Sequence, residues 1–212
     1  MDAMEKLKDG YKNFLAGTYV DKRKLYKELV EKGQSPKVCV IACADSRVSP
    51  ATVLGTEPGD IFVVRNVANL VPPYQPDSGY HGTSAALEYA VHHLKVEHIL
   101  VMGHAYCGGI RALFDTFKPG TEGCWFIPDW IDLARTAHRQ VLETHPDASV
   151  DEQAAACEKA AILVSLENLK TFPCIRDGLG TGTLALHGWH IDIDQGVLTA
   201  YDEERHRFEE VG

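Results

Sequence analysis

The sequence has no long apolar run. Its longest, Val38 to Ala44, spans seven residues, whereas a membrane-spanning helix needs about twenty, so no membrane partner is expected. An apolar secretory leader is also missing. The opening MDAMEKLKDG mixes charges of both signs, and the expected compartment is the cytoplasm, where thiols stay reduced. No C-x-x-C pair occurs among the six cysteines at 39, 43, 107, 124, 157 and 174, which argues against a thiol redox protein. In a reducing compartment these cysteines read as core residues, metal ligands or nucleophiles. Positive charge is in deficit: 21 Lys and Arg stand against 30 Asp and Glu, a net charge of −9. A field of that sign repels phosphate backbones, and nucleic acid is not expected as a partner. No repeat, low-complexity tract or Pro/Gly/Ser linker divides the 212 residues. The expectation is one domain over 1–212, with a helical arm at 1–33 and an α/β core at 34–212. A chain of this length buries about 70% of its unfolded surface and needs no disulfide.

Periodicity supplies the elements. Met4, Leu7, Tyr11, Phe14 and Leu15 recur at helical spacing, Gly17 interrupts, and Leu25, Tyr26, Leu29 and Val30 form a second stripe ending at Gly33. That arm packs either on its own core or on a partner subunit. Lys37 to Ala42, Ile61 to Val64 and His98 to Met102 are short, apolar and rich in β-branched residues, like strands buried on both faces. The segment Thr83 to Leu94, Gly108 to Phe117, and the stretches 129–144 and 150–170 read as helices. Ser149 with Glu152 three residues on gives the last of these a capping box. Thr183 to Leu186, Trp189 to Ile193 and Val197 to Ala200 read as strands, the last two joined through Asp194-Gln195-Gly196. Alternating strands and helices predict a Rossmann-like α/β fold: a central, mostly parallel sheet flanked by helices, with an antiparallel C-terminal edge.

In such sheets function gathers at the carboxyl ends of strands. Two ends stand out. Cys43-Ala44-Asp45-Ser46-Arg47 follows the first strand, and continued extension would put Cys43, Asp45 and Arg47 on one face. Gly103-His104-Ala105-Tyr106-Cys107-Gly108-Gly109 follows the third, where one turn of chain brings His104 and Cys107 together. Thiolate and imidazole favour zinc over magnesium or calcium. Cys43, His104 and Cys107 with a replaceable fourth position make a catalytic zinc, whose bound water has a pKa of about 7. The same residues with Asp45 as a fixed fourth ligand make a structural zinc, with Arg47 merely neutralising Asp45. Gly108 and Gly109 leave backbone N–H groups bare at a helix start, beside any anion held there.

The motifs CADSRV at 43–48, RNVANLVPP at 65–73, EYAV at 88–91 and GHAYCGG at 103–109 resemble those of a β-class carbonic anhydrase. The resemblance extends in order from Leu25 to Gly188. It implies one Zn2+ per chain on Cys43, His104 and Cys107, and a catalytic dyad of Asp45 and Arg47. It also implies reversible hydration of carbon dioxide to bicarbonate and a proton by zinc-bound hydroxide, which the dyad orients. With Asp45 on the metal as a fourth ligand the site would be closed. The implied pocket consists of Gln34, Phe62, Val67, Tyr89, Gly108 and Gly109. In the family the Gln, Phe and Tyr come from a neighbouring subunit, so an obligate homodimer, or a tetramer or higher assembly of dimers, is expected. A hydrolase of carbonyl sulfide or carbon disulfide would use the same centre, and a non-catalytic zinc-binding protein is the rival from another class.

The sequence departs from the family pattern at two places. One branch carries a regulatory bicarbonate site of Trp, Arg and Tyr; here Arg65 is kept, but Val40 and Ile191 occupy the other positions, placing the chain in the plant-like branch without that site. Tyr106 stands where small polar residues are commoner, in the pocket or in a subunit interface. Cys39 falls on the face of Cys43 but reads as core. His187 and His190 read as structural, Trp125 and Trp130 as packing helices, and Asp202 to Glu210 as a solvated tail.

Overall fold

The structure, a computed structural model, describes residues 2–114 and 123–212. The chain opens with helices α1 (Ala3–Ala16) and α2 (Thr18–Lys32). Strand β1 (Val38–Cys43), helix α3 (Pro50–Val53) and strand β2 (Ile61–Asn66) follow. Helix α4 (Gly82–Glu88) continues as a wider turn over Tyr89–Leu94 and leads to strand β3 (His98–His104). Then come α5 (Gly108–Arg111), α6 (Ile127–Ile131), α7 (Arg135–Thr144), α8 (Val150–Leu169) and α9 (Pro173–Gly180). Strands β4 (Ala185–Asp192), β5 (Val197–Asp202) and β6 (Arg207–Glu210) close the chain.

These strands make one mixed sheet in the order β2-β1-β3-β4-β5-β6. The first four are parallel and the last two antiparallel. Past their first residues β1 and β3 are wholly buried, as strands covered on both faces must be. Alternation sends Cys39 and Ile41 into one apolar cluster with Leu87, Ile162 and Leu166, and Val40 and Ala42 into another with Leu100 and Met102. Burial pushes the Cys39 thiol up to about 12, so it stays protonated and serves as core. The chain runs from β1 to β2 on one side and then returns across β1 to β3 on the other. Such a reversal opens a crevice outside the carboxyl ends of the two central strands, where Cys43 and His104 sit.

Several expectations change. The two segments 183–186 and 189–193 form one strand, β4, running through Gly188; a Cβ there would lie 2.8 Å from Ile162 Cγ2. Helix α9 was not anticipated. Residues 202–210 are not a solvated tail: Arg207–Glu210 pairs with β5 as the sheet edge. Trp125 is 81% exposed instead of packing a helix, whereas Trp130 Nε1 donates to Val67 O at 2.8 Å. Of the helix expected to reach Phe117, Gly108–Arg111 is helical and 112–114 are turn, while 115–117 lie outside the described residues. The arm meets its own core through α2, where Lys22 pairs with Glu57 and Leu29 lies so close to Gly59 that a Cβ there would stand 2.8 Å from Leu29 Cδ2, while α1 buries no residue and leaves Met4, Leu7 and Tyr11 exposed. The Ser149 capping box is present as expected.

Candidate active site

Strand β1 stops at Cys43, and the next residues turn instead of staying extended. Val48 N–H closes that turn onto Asp45 O at 3.1 Å. Asp45 and Arg47 therefore meet through a turn and not through strand alternation. Arg47 Nε donates to Asp45 Oδ1 at 2.9 Å and Nη2 to Oδ2 at 2.7 Å, a bidentate pair. Arg47 Nη2 also donates to Tyr106 O at 2.9 Å, tying the first loop to the second. In the second loop Tyr106 takes a left-handed φ of 59° and swings Cys107 back toward His104. Cys107 then caps α5, whose first turn begins at Gly108.

Cys43, His104 and Cys107 are all buried, and their ligand atoms lie within 4.8 Å of one another. Cys43 Sγ and Cys107 Sγ are 4.0 Å apart. Two thiolates tetrahedral about one zinc, each at about 2.3 Å, would sit roughly 3.8 Å apart, so the pair fits a shared ion. His104 Nδ1 lies 2.8 Å from Ala105 O; the carbonyl accepts a hydrogen bond from Nδ1–H, which leaves the Nε2 lone pair free. Nε2 is buried and has no hydrogen-bond partner among the described residues. Leaving such an atom unmatched is costly unless something else binds it. The donor set and the orphaned nitrogen together fit a zinc ion.

Electrostatics agree. The bond shared with Cys107 pulls the Cys43 thiol down and pushes the Cys107 thiol up, since the two sulfurs share a proton. Ala68 N–H approaches Cys43 Sγ at 3.4 Å. Burial opposes protonation of His104, but Cys43, the Ala105 carbonyl and Asp45 outweigh it and raise its pKa. Arg47 holds the Asp45 carboxyl well below the usual range. Asp45 Oδ2 stands 3.9 Å from His104 Nε2, beside the cluster.

The remaining predicted residues divide into two groups. Val67 packs with Cys43 and Cys107 in one apolar cluster, and Gly109 lies against Val67 so closely that a Cβ would stand 2.8 Å from its Cγ1. Gly108 faces open space. Gln34, Phe62 and Tyr89 are not brought to the cluster. Gln34 is exposed after α2, and the Phe62 and Tyr89 rings pair at 5.9 Å. Phe62 is in register with Cys39, four residues before Cys43 and about 13 Å back along the strand at ~3.3 Å per residue.

Two residues gain roles that sequence reasoning did not find. Arg65 donates to the carbonyls of Cys43, Asp45 and Val48 at 2.8, 2.6 and 2.7 Å, clamping the loop that carries Cys43, Asp45 and Arg47. Glu158, on α8, accepts the Cys107 N–H at 2.9 Å. The motif RNVAN flagged the first without its partners; nothing local flagged the second.

The carbonic anhydrase family model matches residues 38–198. A curated relative, beta carbonic anhydrase 3 of Arabidopsis thaliana, is 40% identical over 206 residues, covering 95% of this chain and 78% of the relative. Among solved structures, the β-carbonic anhydrase CcaA superposes with a TM-score of 0.91 at 34% identity, over 99% of this chain and 92% of that one. One of two tetrameric β-carbonic anhydrases from Sordaria macrospora gives a TM-score of 0.78 at 29% identity, over 100% and 98%. With the match spanning most of the chain and covering both loops of the cluster, the chain belongs to the β-class carbonic anhydrases, a family of carbonate dehydratases.

Proposed function

We propose that the chain catalyses reversible hydration of carbon dioxide to bicarbonate and a proton, with Cys43, His104 and Cys107 holding one Zn2+ and Asp45 and Arg47 acting as the orienting dyad. The observation that carries this reading is the unpartnered His104 Nε2 beside two buried sulfurs and an arginine-held carboxylate. When bound, zinc lowers the pKa of a coordinated water to about 7 and so makes hydroxide available near neutral pH. The chain's own residues do the rest. Asp45, kept ionised by Arg47, can only accept a hydrogen bond, and it fixes the direction in which the attacking oxygen presents its lone pair. Arg47, bonded to both Asp45 and Tyr106 O, keeps that carboxylate off the metal and the site open. Val67 offers an apolar wall to a substrate without a net dipole.

Gln34, Phe62 and Tyr89 complete the pocket from a second copy. Their placement supports this: Phe62 lies about 13 Å back along the strand from the level of Cys43, and the Tyr89 ring paired with it is 45% exposed, so the pair serves a pocket across an interface. A homodimer, alone or paired into a tetramer, meets that need. Arg65 is committed to three carbonyls, and Val40 and Ile191 belong to an apolar cluster, which supports a site without the anion regulator. Two thiolates that must stay unpaired suit the reducing cytoplasm.

The test is metal content with turnover. Wild-type protein should carry about one zinc per chain and hydrate carbon dioxide, and Cys107→Ala should lose both. Zinc-loaded protein inert toward carbon dioxide but active on carbonyl sulfide or carbon disulfide would replace this reading with the hydrolase. Zinc-loaded protein inert toward all three would leave a non-catalytic zinc protein.

A further inference from the structure

Helix α8 buries a stripe that is mostly apolar, including Ala154, Cys157, Ala161 and Ile162. The polar members of that stripe each hold a particular group. Gln153 donates to His145 O at 2.8 Å, and Ser165 accepts the Val71 N–H at 3.2 Å. Glu158 is the charged one. It is 5% exposed, and a carboxylate that deep is costly unless it is paired and hydrogen-bonded. Its Oε1 accepts the Cys107 N–H at 2.9 Å, and its Oε2 lies 3.1 Å from Nε2 of His190, itself 6% exposed, on β4.

The Cys107 N–H has no intrahelical partner, because Cys107 caps α5. The left-handed turn at Tyr106 aims it inward, toward α8. Behind the loop lies a cavity of about 640 Å3 bordered by Cys107, Ala154, Ala155, Glu158 and His190. Ala154 and Ala155 are small, so on the α8 side the hydrogen bond to Glu158 restrains the Cys107 backbone itself, beside the Arg47 bond to Tyr106 O and the Ala105 N–H bond to Ile191 O that hold the residues before it. The Cys107 backbone sets where its sulfur stands relative to Cys43 and His104.

We propose that Glu158, itself braced by His190, is a positioning residue for the metal centre: it fixes the Cys107 backbone and so the approach of the Cys107 sulfur to the ion. The proposal rests on the zinc reading above. Residues one step removed from a metal, when replaced, typically cost about 10–100-fold in metal affinity.

The test uses full-length protein, chelator competition for zinc, and visible absorption of the Co2+-substituted form, whose thiolate bands report ligand geometry. Glu158→Ala should weaken zinc binding by about 10–100-fold and shift those bands. Glu158→Gln, which keeps an acceptor oxygen for Cys107, should restore most of the affinity and the wild-type bands. Ser165→Ala, on the same stripe but tied to Val71, should lower the melting temperature and leave affinity and bands unchanged. If Glu158→Ala does not fold, Glu158→Asp replaces it. That variant keeps the charge but falls short of Cys107, and it should show the same direction of change. Zinc-loaded wild type with Glu158→Ala, or Glu158→Asp in its place, binding zinc equally well and with unshifted bands overturns the positioning role alone. Equal effects of the Glu158 and Ser165 variants on affinity also overturn it. Wild-type protein that binds no zinc overturns the metal reading and this proposal together.

Discussion

Gly109→Ala is a small perturbation with a large expected effect. The added Cβ would stand 2.8 Å from Val67 Cγ1 and 2.9 Å from Ala68 Cβ, against ordinary contacts of about 3.5–4.0 Å. Two neighbours must move, and one cannot move cheaply: Ala68 is fully buried and already at φ 63°. Overpacking of this kind costs about 1–3 kcal/mol. For a chain of this size that is roughly 2–12 °C in melting temperature, at about 2–4 °C per kcal/mol. The strain also reaches the Cys43–His104–Cys107 cluster. The Ala68 N–H approaches Cys43 Sγ and the Gly109 N–H supports the Cys107 thiolate, so displacing either should weaken zinc binding. Gly108→Ala is the matched control, since nothing lies within 4 Å of its Cβ position. It should melt like the wild type and bind zinc normally, while the methyl group intrudes on the pocket and lowers turnover. Thermal unfolding of zinc-saturated protein and chelator competition read both variants. Gly109→Ala indistinguishable from wild type in both assays would refute the packing described for the Val67–Gly109 contact.

Asp45→Asn and Arg47→Ala should keep their zinc and lose most turnover; equal zinc loss in both, matching Cys107→Ala, would mean Asp45 is chiefly a ligand. The folded state lowers the pKa of Asp45, so the stability it contributes is complete above the ordinary carboxylate pKa of about 3.9 and is lost as pH falls through the lower folded value. No Asp45 titration should therefore appear in rate profiles near neutrality, and an inflection between about pH 6 and 8 abolished by Asp45→Asn would contradict this. Mixing Asp45→Asn with Tyr89→Ala subunits tests the shared pocket. A heterodimer would hold one intact site and regain about half the wild-type activity per dimer if Tyr89 acts across the interface, and none if it acts within its own chain. Stripping zinc should lower the melting temperature, because an ion bound only by the folded state at 100 times its Kd adds about 2.7 kcal/mol; unchanged melting after complete removal would argue against a buried site.

What was legible in the sequence was local. Strands β1 and β3 announce themselves as unbroken apolar runs because parallel strands are covered on both faces, and the ligand loops lie directly at their ends. Edge strand β6 was hidden because Arg207, Glu209 and Glu210 read as solvated charge, although Arg207 and Glu209 pair with each other on the edge. Helix α9 is short and carries Gly178 and Gly180, which masked the start signal of Pro173 at its first turn. Gly188 looked like a break in a strand, yet it is the residue that lets β4 pass under Ile162. At the site, residue types and spacing singled out Cys43, Asp45, Arg47, His104 and Cys107. They did not reveal that Asp45 and Arg47 meet through a turn, nor that Arg65 and Glu158 hold the two loops. The Arg65 and Glu158 contacts join positions 17 to 51 residues apart, and only the assembled sheet brings them together.

Stopped-flow carbon dioxide hydration from about pH 6.5 to 9, on protein of measured zinc content, tests the central claim most directly. An open centre with Asp45 held by Arg47 predicts fast, hyperbolic turnover already present near neutral pH with about one zinc per chain. Zinc-loaded protein that turns over only above about pH 8, with sigmoidal onset and inhibition by bicarbonate, would contradict the open site and place Asp45 on the metal.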